Sequence, residues 1–416
     1  MNQALQDLTV LEITDDKGIY AGKLLADMGA TVILVEPTTG HTTRHVGPFA
    51  GNIPDINSSL LFWYNSTNKK SITVNIETET GAKIVRDLAK SADILLESTA
   101  PGYLDSLALG YSQLSEVNPK LIMTSVTPFG QTGPYRNYEV SNLVLMAMSG
   151  IMNSCGYDDL LGSPPICCDG LQGYATGCNL AVIATLTALY HRDVTGQGQW
   201  IDCSIYEALS GTTEAAMPTW YFGKQTPFRQ TGRHHGVAAT PSTQYESADG
   251  KLINGFDIPP RTVARWDALV AWMDETGMAG ELKDDSYRQM IRERSRDREK
   301  VDIIVETVRA FISSMPAEET YHRAQKIRLA WAIIRSPEET LQDPHFSDDR
   351  GFFPAVYHPE TDTSYIYPGA PYMFHKTPWT VKRRAPLLGE DTREVLETAL
   401  KLRPQDLVLL RESGAI

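Results

Sequence analysis

Apolar positions along the first 210 residues fall into short blocks separated by helical repeats. Leu8–Ile13 and Thr31–Val35 are apolar runs of strand length. Between them Ile19, Leu24, Leu25 and Met28 recur at helical spacing within 18–28. The alternation continues with an amphipathic helix over 77–89 and strands over 93–96 and 121–126, the latter after Asn118-Pro119. Such a rhythm predicts a parallel sheet with helices on its faces. The longest helical repeat is 171–189, where Leu171, Tyr174, Ala175, Cys178, Val182, Leu186 and Leu189 step by three and four. Gly170, Gly173 and Gly177 leave one side of it open to close approach. A strand over 199–204 follows the turn Thr195-Gly196-Gln197-Gly198.

From about residue 222 the texture changes. Gly, Thr, His and Pro crowd 222–243 and predict a linker. A hairpin around Asp249-Gly250 and charge-rich helices occupy 244–330, with the mixed-sign stretch 292–300 expected as a solvated helix face. Short strands with Pro punctuation follow, then helices over 391–400 and 404–411, with Pro404 at a first helical position. The pattern predicts an α/β chain. A large domain comprises 1–220 with 335–416, a smaller α+β domain 240–330, and linkers 221–239 and 331–334.

A length of 416 residues allows two or three domains, and 42% hydrophobic with 21% charged residues is ordinary for a globular chain. Acidic residues outnumber basic ones, 51 to 38, giving a net charge of −13. That argues against a nucleic-acid partner, although a local basic pocket for an anionic ligand remains compatible. The absence of an 18-residue apolar run predicts no membrane helix. The start, MNQALQDLTVLEIT, lacks the features of a secretory signal. Five cysteines without a CxxC pair read as reduced thiols of a cytoplasmic protein. The nine histidines show no ligand spacing, so no metal is expected.

After the first strand the chain reads Thr14-Asp15-Asp16-Lys17-Gly18-Ile19-Tyr20-Ala21-Gly22, without the glycine fingerprint for a dinucleotide pyrophosphate. P-loop and GxSxG patterns are also missing. The informative segment is Pro164-Pro165-Ile166-Cys167-Cys168-Asp169-Gly170, leading into the long helix. On local pattern Asp169 reads as an N-cap. The same position suits a reactive group, because helix N–H groups favour the anion and an ionised carboxylate can attack an activated acyl carbon.

An ordered set of stretches then carries a resemblance. It comprises Ala21–Val32 running into Val35-Glu36-Pro37, Asn68-Lys69-Lys70-Ser71-Ile72-Thr73, Ile94-Leu95-Leu96-Glu97 with Pro101-Gly102, and Asn118–Ile122. Phe129-Gly130-Gln131-Thr132-Gly133-Pro134-Tyr135, Asp169-Gly170, Thr195–Gln199 with Ile201-Asp202, and Ala385-Pro386-Leu387-Leu388-Gly389-Glu390 complete it. Together they resemble the class III CoA-transferases, the group of formyl-CoA transferase and carnitine CoA-transferase. The resemblance implies a Rossmann-like large domain and an interlocked homodimer. It also implies CoA transfer from an acyl-CoA to a carboxylic acid through an anhydride and a thioester on Asp169. CoA enters as the substrate's carrier, and no other cofactor is implied.

The resemblance places CoA contacts at Lys17, Gly18, Thr38, Val74–Glu77, Ser98, Thr99, Ser106, Tyr138 and Glu139. Lys17, Arg44, Lys69 and Lys70 are the candidate partners for its phosphates. There are departures. Ser106 stands where many members carry Arg, Ser98-Thr99 replaces an Asn-Phe pair, and Gly40-His41 replaces Gly-Asp. The glycine-rich loop of formyl-CoA transferase is replaced by Ile253–Pro260, so formate and oxalate are not expected substrates. Phe62, Trp63, Tyr64, Tyr138 and Phe256 are candidates to line a larger acyl pocket, with core packing as the plain alternative. Intramolecular CoA transfer would use the same Asp169. The related α-methylacyl-CoA racemases need a His after the Phe-Gly-Gln-Thr-Gly-Pro stretch, where this chain has Tyr138-Glu139-Val140-Ser141-Asn142. A non-catalytic CoA-binding protein is the remaining alternative.

Overall fold

The computed structural model describes residues 2–158, 162–213, 216–295 and 297–416. The chain begins β1 (Thr9–Ile13), α1 (Ile19–Asp27), β2 (Thr31–Glu36), α2 (Leu60–Asn65), β3 (Lys70–Thr73), α3 (Glu79–Ala89) and β4 (Ile94–Glu97). It continues α4 (Tyr103–Ser106), α5 (Tyr111–Val117), β5 (Ile122–Thr127), α6 (Asn142–Met148), α7 (Ile151–Ser154), α8 (Gln172–Thr195), β6 (Trp200–Ser204) and α9 (Ile205–Gly211). The six strands form one parallel sheet in the order β3-β2-β1-β4-β5-β6. Strand order reverses between β1 and β4, so a crevice opens at the carboxyl ends of those strands, where open α/β sheets place ligands.

Both sheet faces are covered, which is why the strands read as continuous apolar runs. Leu11, Ile33, Leu95 and Met123 pack with Val85 and Leu88 of α3 and Leu114 of α5. On the opposite face α8 lies against β5, where the Thr124 and Thr185 hydroxyls meet at 2.8 Å. This second face also holds ion pairs. Glu12 pairs with Lys69 at 2.8 Å and Glu36 with Arg44 at 2.6 Å, all four side chains fully buried. Gly22 of α1 makes room for the first pair, since a Cβ there would lie 2.1 Å from the Glu12 carboxylate.

Two compact units divide the chain. One comprises Met1–Ser149, Cys168–Thr212 and Pro344–Ile416, the other Gly150–Cys167 and Thr213–Asp343. Gly150–Cys167, read from sequence with the large domain, groups with the second unit. A β-bridge joins Gly156 to Pro165, and Asp158 N donates to Thr231 Oγ1 at 2.9 Å. The second unit holds α10 (Ala216–Gly223), β7 (Phe228–Gln230), β8 (Arg233–Gly236), β9 (Gln244–Glu246) and β10 (Leu252–Gly255). It continues with α11 (Val263–Glu275), α12 (Asp285–Glu293), α13 (Arg298–Ser313), α14 (Ala317–Lys326), β11 (Trp331–Ile333) and α15 (Pro337–Leu341). Its core gathers Trp266, Trp272, Phe311 and Trp331.

Three expectations change here. The 222–243 linker contains the β7–β8 hairpin, and the 331–334 linker is strand β11, paired with β10. In both cases cross-strand pairing overrides weak local signals. The charged stretch 292–300 is not one helix face: it spans the end of α12, a break after Glu293 and the start of α13 at Arg298. Arg294 has φ +53, and Asp297 caps α13 by accepting from Glu299 N at 3.1 Å. Arg296 lies outside the described residues.

The C-terminal segment returns to the first unit as β12 (Ala355–His358), β13 (Thr363–Ile366), α16 (Thr392–Leu400) and α17 (Pro404–Glu412). It closes the open edge of the sheet. Ser71 N donates to Asp391 Oδ2 at 2.9 Å and Thr73 N to Thr392 Oγ1 at 3.0 Å. Asp391 N donates to Ser71 O, and Asn75 N to Ala415 O, each at 2.9 Å. Among the described residues no helix is long and apolar enough to cross a membrane.

Candidate active site

The turn after β1 and the turn after β4 are tied together at the strand-order reversal. Ser98 Oγ accepts from Asp15 N at 2.8 Å and donates to Asp15 Oδ1 at 2.6 Å. Lys17, three-quarters or more buried, pairs with the Asp15 carboxylate. Gly18 precedes α1, and a Cβ there would come within 2.8 Å of Thr14 Cγ2. The first turns of α8 flank this loop, with Cys178 Sγ donating to Lys17 O at 3.2 Å. Burial, reinforced by the nearby Asp16 and Asp15 charges, pushes the Tyr174 phenol well above its ordinary value. Burial, reinforced by the Asp15 charge, also raises the Asp16 carboxyl.

Asp169 stands just ahead of this helix, in an exposed turn. Its Oδ1 accepts from Gly170 N at 2.7 Å. It is not the N-cap that local pattern predicts. The helix starts at Gln172 with Leu171 in the cap position, which offers no side-chain acceptor. The acceptor comes from α6 instead. Asn142 Oδ1 accepts from Gly173 N at 2.9 Å and from Tyr174 N at 3.4 Å, while its Nδ2 donates to Gly170 O at 3.3 Å.

The buried face of α8 is its small-residue side, Gly173, Gly177, Cys178, Ala181, Thr185 and Ala188, together with Tyr174. A Cβ on Gly177 would lie 2.7 Å from Ile205 Cγ1. The larger side chains Ile183, Tyr190 and Val194 are 60%, 75% and 72% exposed. Leu186, expected on the packed face, is partly exposed as well.

The remaining candidates separate into two groups. Thr38 follows β2, and Val74 and Glu77 follow β3, so all three lie beyond carboxyl ends of the sheet. Val74 is core, whereas Glu77 is exposed and accepts from Tyr103 OH at 3.1 Å. Thr99 donates from N and Oγ1 to Glu97 Oε2, both at 2.7 Å. Exposed Ser106 donates to Tyr103 O at 2.6 Å. Tyr138 belongs to an aromatic group with Phe129 and Tyr135, its ring 5.1 Å from that of Tyr135, and Glu139 next to it is exposed.

Arg44, Lys69 and Lys70 are not placed as phosphate partners. Arg44 is fully buried, its donors taken by Glu36, Asn57 and Pro386 O, and it stacks 3.7 Å over the Phe62 ring. Lys69 is fully buried on Glu12 and Ile19 O, and burial lowers its pKa. Lys70 opens β3 at the amino end of the sheet and pairs with Glu394 at 2.7 Å. Phe62 and Trp63, offered as pocket walls, are core residues.

Sequence reasoning missed Asn142, Gln131 and Glu97. A cleft of about 210 Å³ alongside β4, β5 and β6, next to α4 and α5, is lined in part by Glu97, Thr99, Tyr111, Met123, Gln131 and Trp200. Gln131 Nε2 donates to Glu97 at 3.3 Å, and Gln131 N to both Asp202 oxygens at 3.0 Å. Burial raises the Glu97 carboxyl. The Phe-Gly-Gln-Thr-Gly-Pro stretch signalled Gln131 only as part of a motif. Asn142 carried no signal, because its partners lie 28 to 32 residues away.

Comparison with known proteins gives consistent findings. The family model described as CoA-transferase family III matches residues 5–392. A succinyl-CoA:(R)-benzylsuccinate CoA-transferase subunit of Thauera aromatica is 32% identical over 95% of this chain and 94% of its own. A formyl-CoA:oxalate CoA-transferase of Streptomyces coelicolor is 29% identical over 100% and 99% respectively. The fold matches the crystal structure of a CAIB/BAIF family protein from Brucella suis with a TM-score of 0.78, covering 96% of this chain and 100% of that one at 24% identity.

Proposed function

The chain belongs to CoA-transferase family III and is an enzyme of that class, and we propose that Asp169 is its nucleophile. The Asp169 carboxylate attacks the acyl-CoA carbonyl, and CoA thiolate leaves as the mixed anhydride forms. The thiolate then attacks the aspartyl carbonyl, giving an aspartyl-CoA thioester and the free donor acid. The acceptor carboxylate attacks that thioester, re-forming an anhydride and thiolate. Attack of the thiolate on the acceptor carbonyl yields the new acyl-CoA and restores Asp169. A carboxylate is a weak nucleophile, so positioning and donors for the tetrahedral oxyanion must supply the rate.

One observation carries the reading. Asp169 lies exposed in a turn before a helix whose first turns flank the β1–α1 loop, at the sheet's reversal point. Lys17, Gly18, Ser98 and Thr99 gather there and are the proposed core of the CoA contacts, with Thr38, Glu77 and Tyr138 further out. Lys17 is the basic side chain available for a phosphate, in exchange for Asp15. The name of the Thauera aromatica relative supports succinyl-CoA as donor, and the Ile253–Pro260 departure supports an acceptor larger than the oxalate in the Streptomyces coelicolor relative's name.

We also propose a cytoplasmic homodimer. The stripe Ile183, Tyr190 and Val194 is the kind of apolar surface that a second copy covers. Sedimentation at twice the chain mass is the expected result, and a monomer overturns it. The function is tested by incubating the protein with succinyl-, formyl- and acetyl-CoA, quenching with hydroxylamine and mapping the modified peptide. Modification at Asp169, lost in Asp169→Ala, is expected. Exchange of an acyl α-proton with solvent and no trapped peptide would replace this reading with racemase chemistry.

A further inference from the structure

We propose that Asn142 is a positioning residue for the transfer, clamping the Asp169–Gly170 turn onto the start of α8. The proposal rests on Asp169 being the nucleophile. A helix start leaves four N–H groups without partners inside the helix. Here the cap residue supplies nothing, and a side chain from another helix does the capping.

Both ends of the amide are used. Its oxygen takes the Gly173 and Tyr174 N–H groups, and its NH2 takes the carbonyl of Gly170. Gly170 has φ +77, so the peptide after Asp169 sits in a left-handed turn that the helix ladder does not fix. That same Gly170 supplies the N–H to the Asp169 carboxylate. Holding the Gly170 carbonyl therefore sets the direction of the attacking oxygens.

The clamp is itself anchored. Asn142 opens α6 behind Ser141, whose side chain accepts from Val144 N, and Leu145 and Met146 of that helix are buried. The contact is also close. A Cβ on Gly173 would lie 2.7 Å from Asn142 Oδ1. Alanine is ordinarily better than glycine in a helix. Gly173→Ala should therefore act mainly by displacing the amide and, to a lesser degree, Leu209.

The test uses the full chain, succinyl-CoA and radiolabelled succinate, whose exchange into the thioester needs no other acceptor. Asn142→Ala should lower kcat roughly 10- to 100-fold, the scale of a misplacement of about 1 Å, with KM for succinyl-CoA within about threefold. Its Tm should fall by a few degrees. Asn142→Asp keeps an acceptor for Gly173 and Tyr174 but cannot donate to Gly170 O. It should recover Tm while kcat stays roughly tenfold or more below the parent. Gly173→Ala should lower kcat with KM held.

Asn142→Ala at parental kcat overturns the proposal. So does Asn142→Asp that restores kcat together with Tm, since the residue would then be a cap alone. Asp169→Ala runs alongside. Exchange that survives in Asp169→Ala removes the nucleophile and the clamp together. A silent Asp169→Ala beside a fully active Asn142→Ala removes only the clamp.

Discussion

Replacing Arg44 with Met separates an internal role from a ligand-binding one. The guanidinium bonds Glu36 through Nε at 2.6 Å and NH2 at 2.8 Å, Asn57 Oδ1 at 3.0 Å and Pro386 O at 3.1 Å, with no exposed surface. Met fills much of the volume above Phe62 but leaves Glu36 with Ser71 and the His41 N–H as its hydrogen-bond partners. Breaking a buried pair from one side costs about 3–5 kcal/mol. With a urea slope of about 3 kcal/mol/M, a loss of about 4 kcal/mol moves the unfolding midpoint down by about 1.3 M. Arg44→Lys should fall between the two, because a point charge reaches Glu36 without the planar fork. Urea unfolding followed by fluorescence gives the midpoint, and acyl-CoA saturation at low urea gives KM. Folded Arg44→Met should keep a KM within about twofold. A midpoint within about 0.3 M of the parent, together with a KM raised tenfold, would refute the reasoning and return Arg44 to the phosphates.

Lys69 and Lys70 should part company. Lys69→Met strands buried Glu12 and should cost about 3–5 kcal/mol, whereas Lys70→Ala breaks a half-exposed pair worth about 0–1 kcal/mol. Denaturation midpoints check both, and equal losses would contradict the assigned burial. His41 gives a pH prediction. Burial, reinforced by Lys69 and Arg44, pushes it from 6.5 down to about 3, so the folded protein keeps it neutral while the unfolded chain takes the proton first. Its contribution is whole above pH 6.5 and fades by about 1.4 kcal/mol per pH unit as pH falls toward 3. His41→Asn keeps an acceptor for Thr43 N. The parent's stability advantage over this variant should shrink from pH 7.5 to pH 4.5, and an advantage independent of pH would contradict it.

The parallel sheet was legible because runs such as Val10-Leu11 and Leu95-Leu96 are buried on both faces and announce themselves locally. Strand β3 was not, since Lys70-Ser71-Ile72-Thr73 has a single apolar residue and is a strand only through pairing with Ile33–Glu36. Charge identity pointed to Arg44 and Lys69 as anion partners, but charge alone does not reveal that Glu36 and Glu12 lie opposite them. The 3.6-residue repeat located α8 and misjudged its packed side. Glycine and alanine make the close contacts, and Ile183 and Tyr190 face outward. Asp169 was singled out through its place in a familiar order of segments, and its role is a proposal. Asn142 could not be found, because its meaning lies in atoms about 30 residues further along the chain.

The closing of the β3 edge by residues 391, 392 and 415 sets a timetable for birth on the ribosome. Ser71, Thr73 and Asn75 are made early, yet the groups that satisfy them arrive more than 300 residues later. At about 5–20 residues per second, that is a wait of roughly 15–60 s. Throughout it, the nascent sheet carries an open edge, and Arg44 lacks the Pro386 carbonyl. The larger unit is thus completed only once residues 391–415 have been made. A transcript cut before codon 391 yields a chain whose edge stays open, a substrate for chaperones and proteases rather than a shortened enzyme.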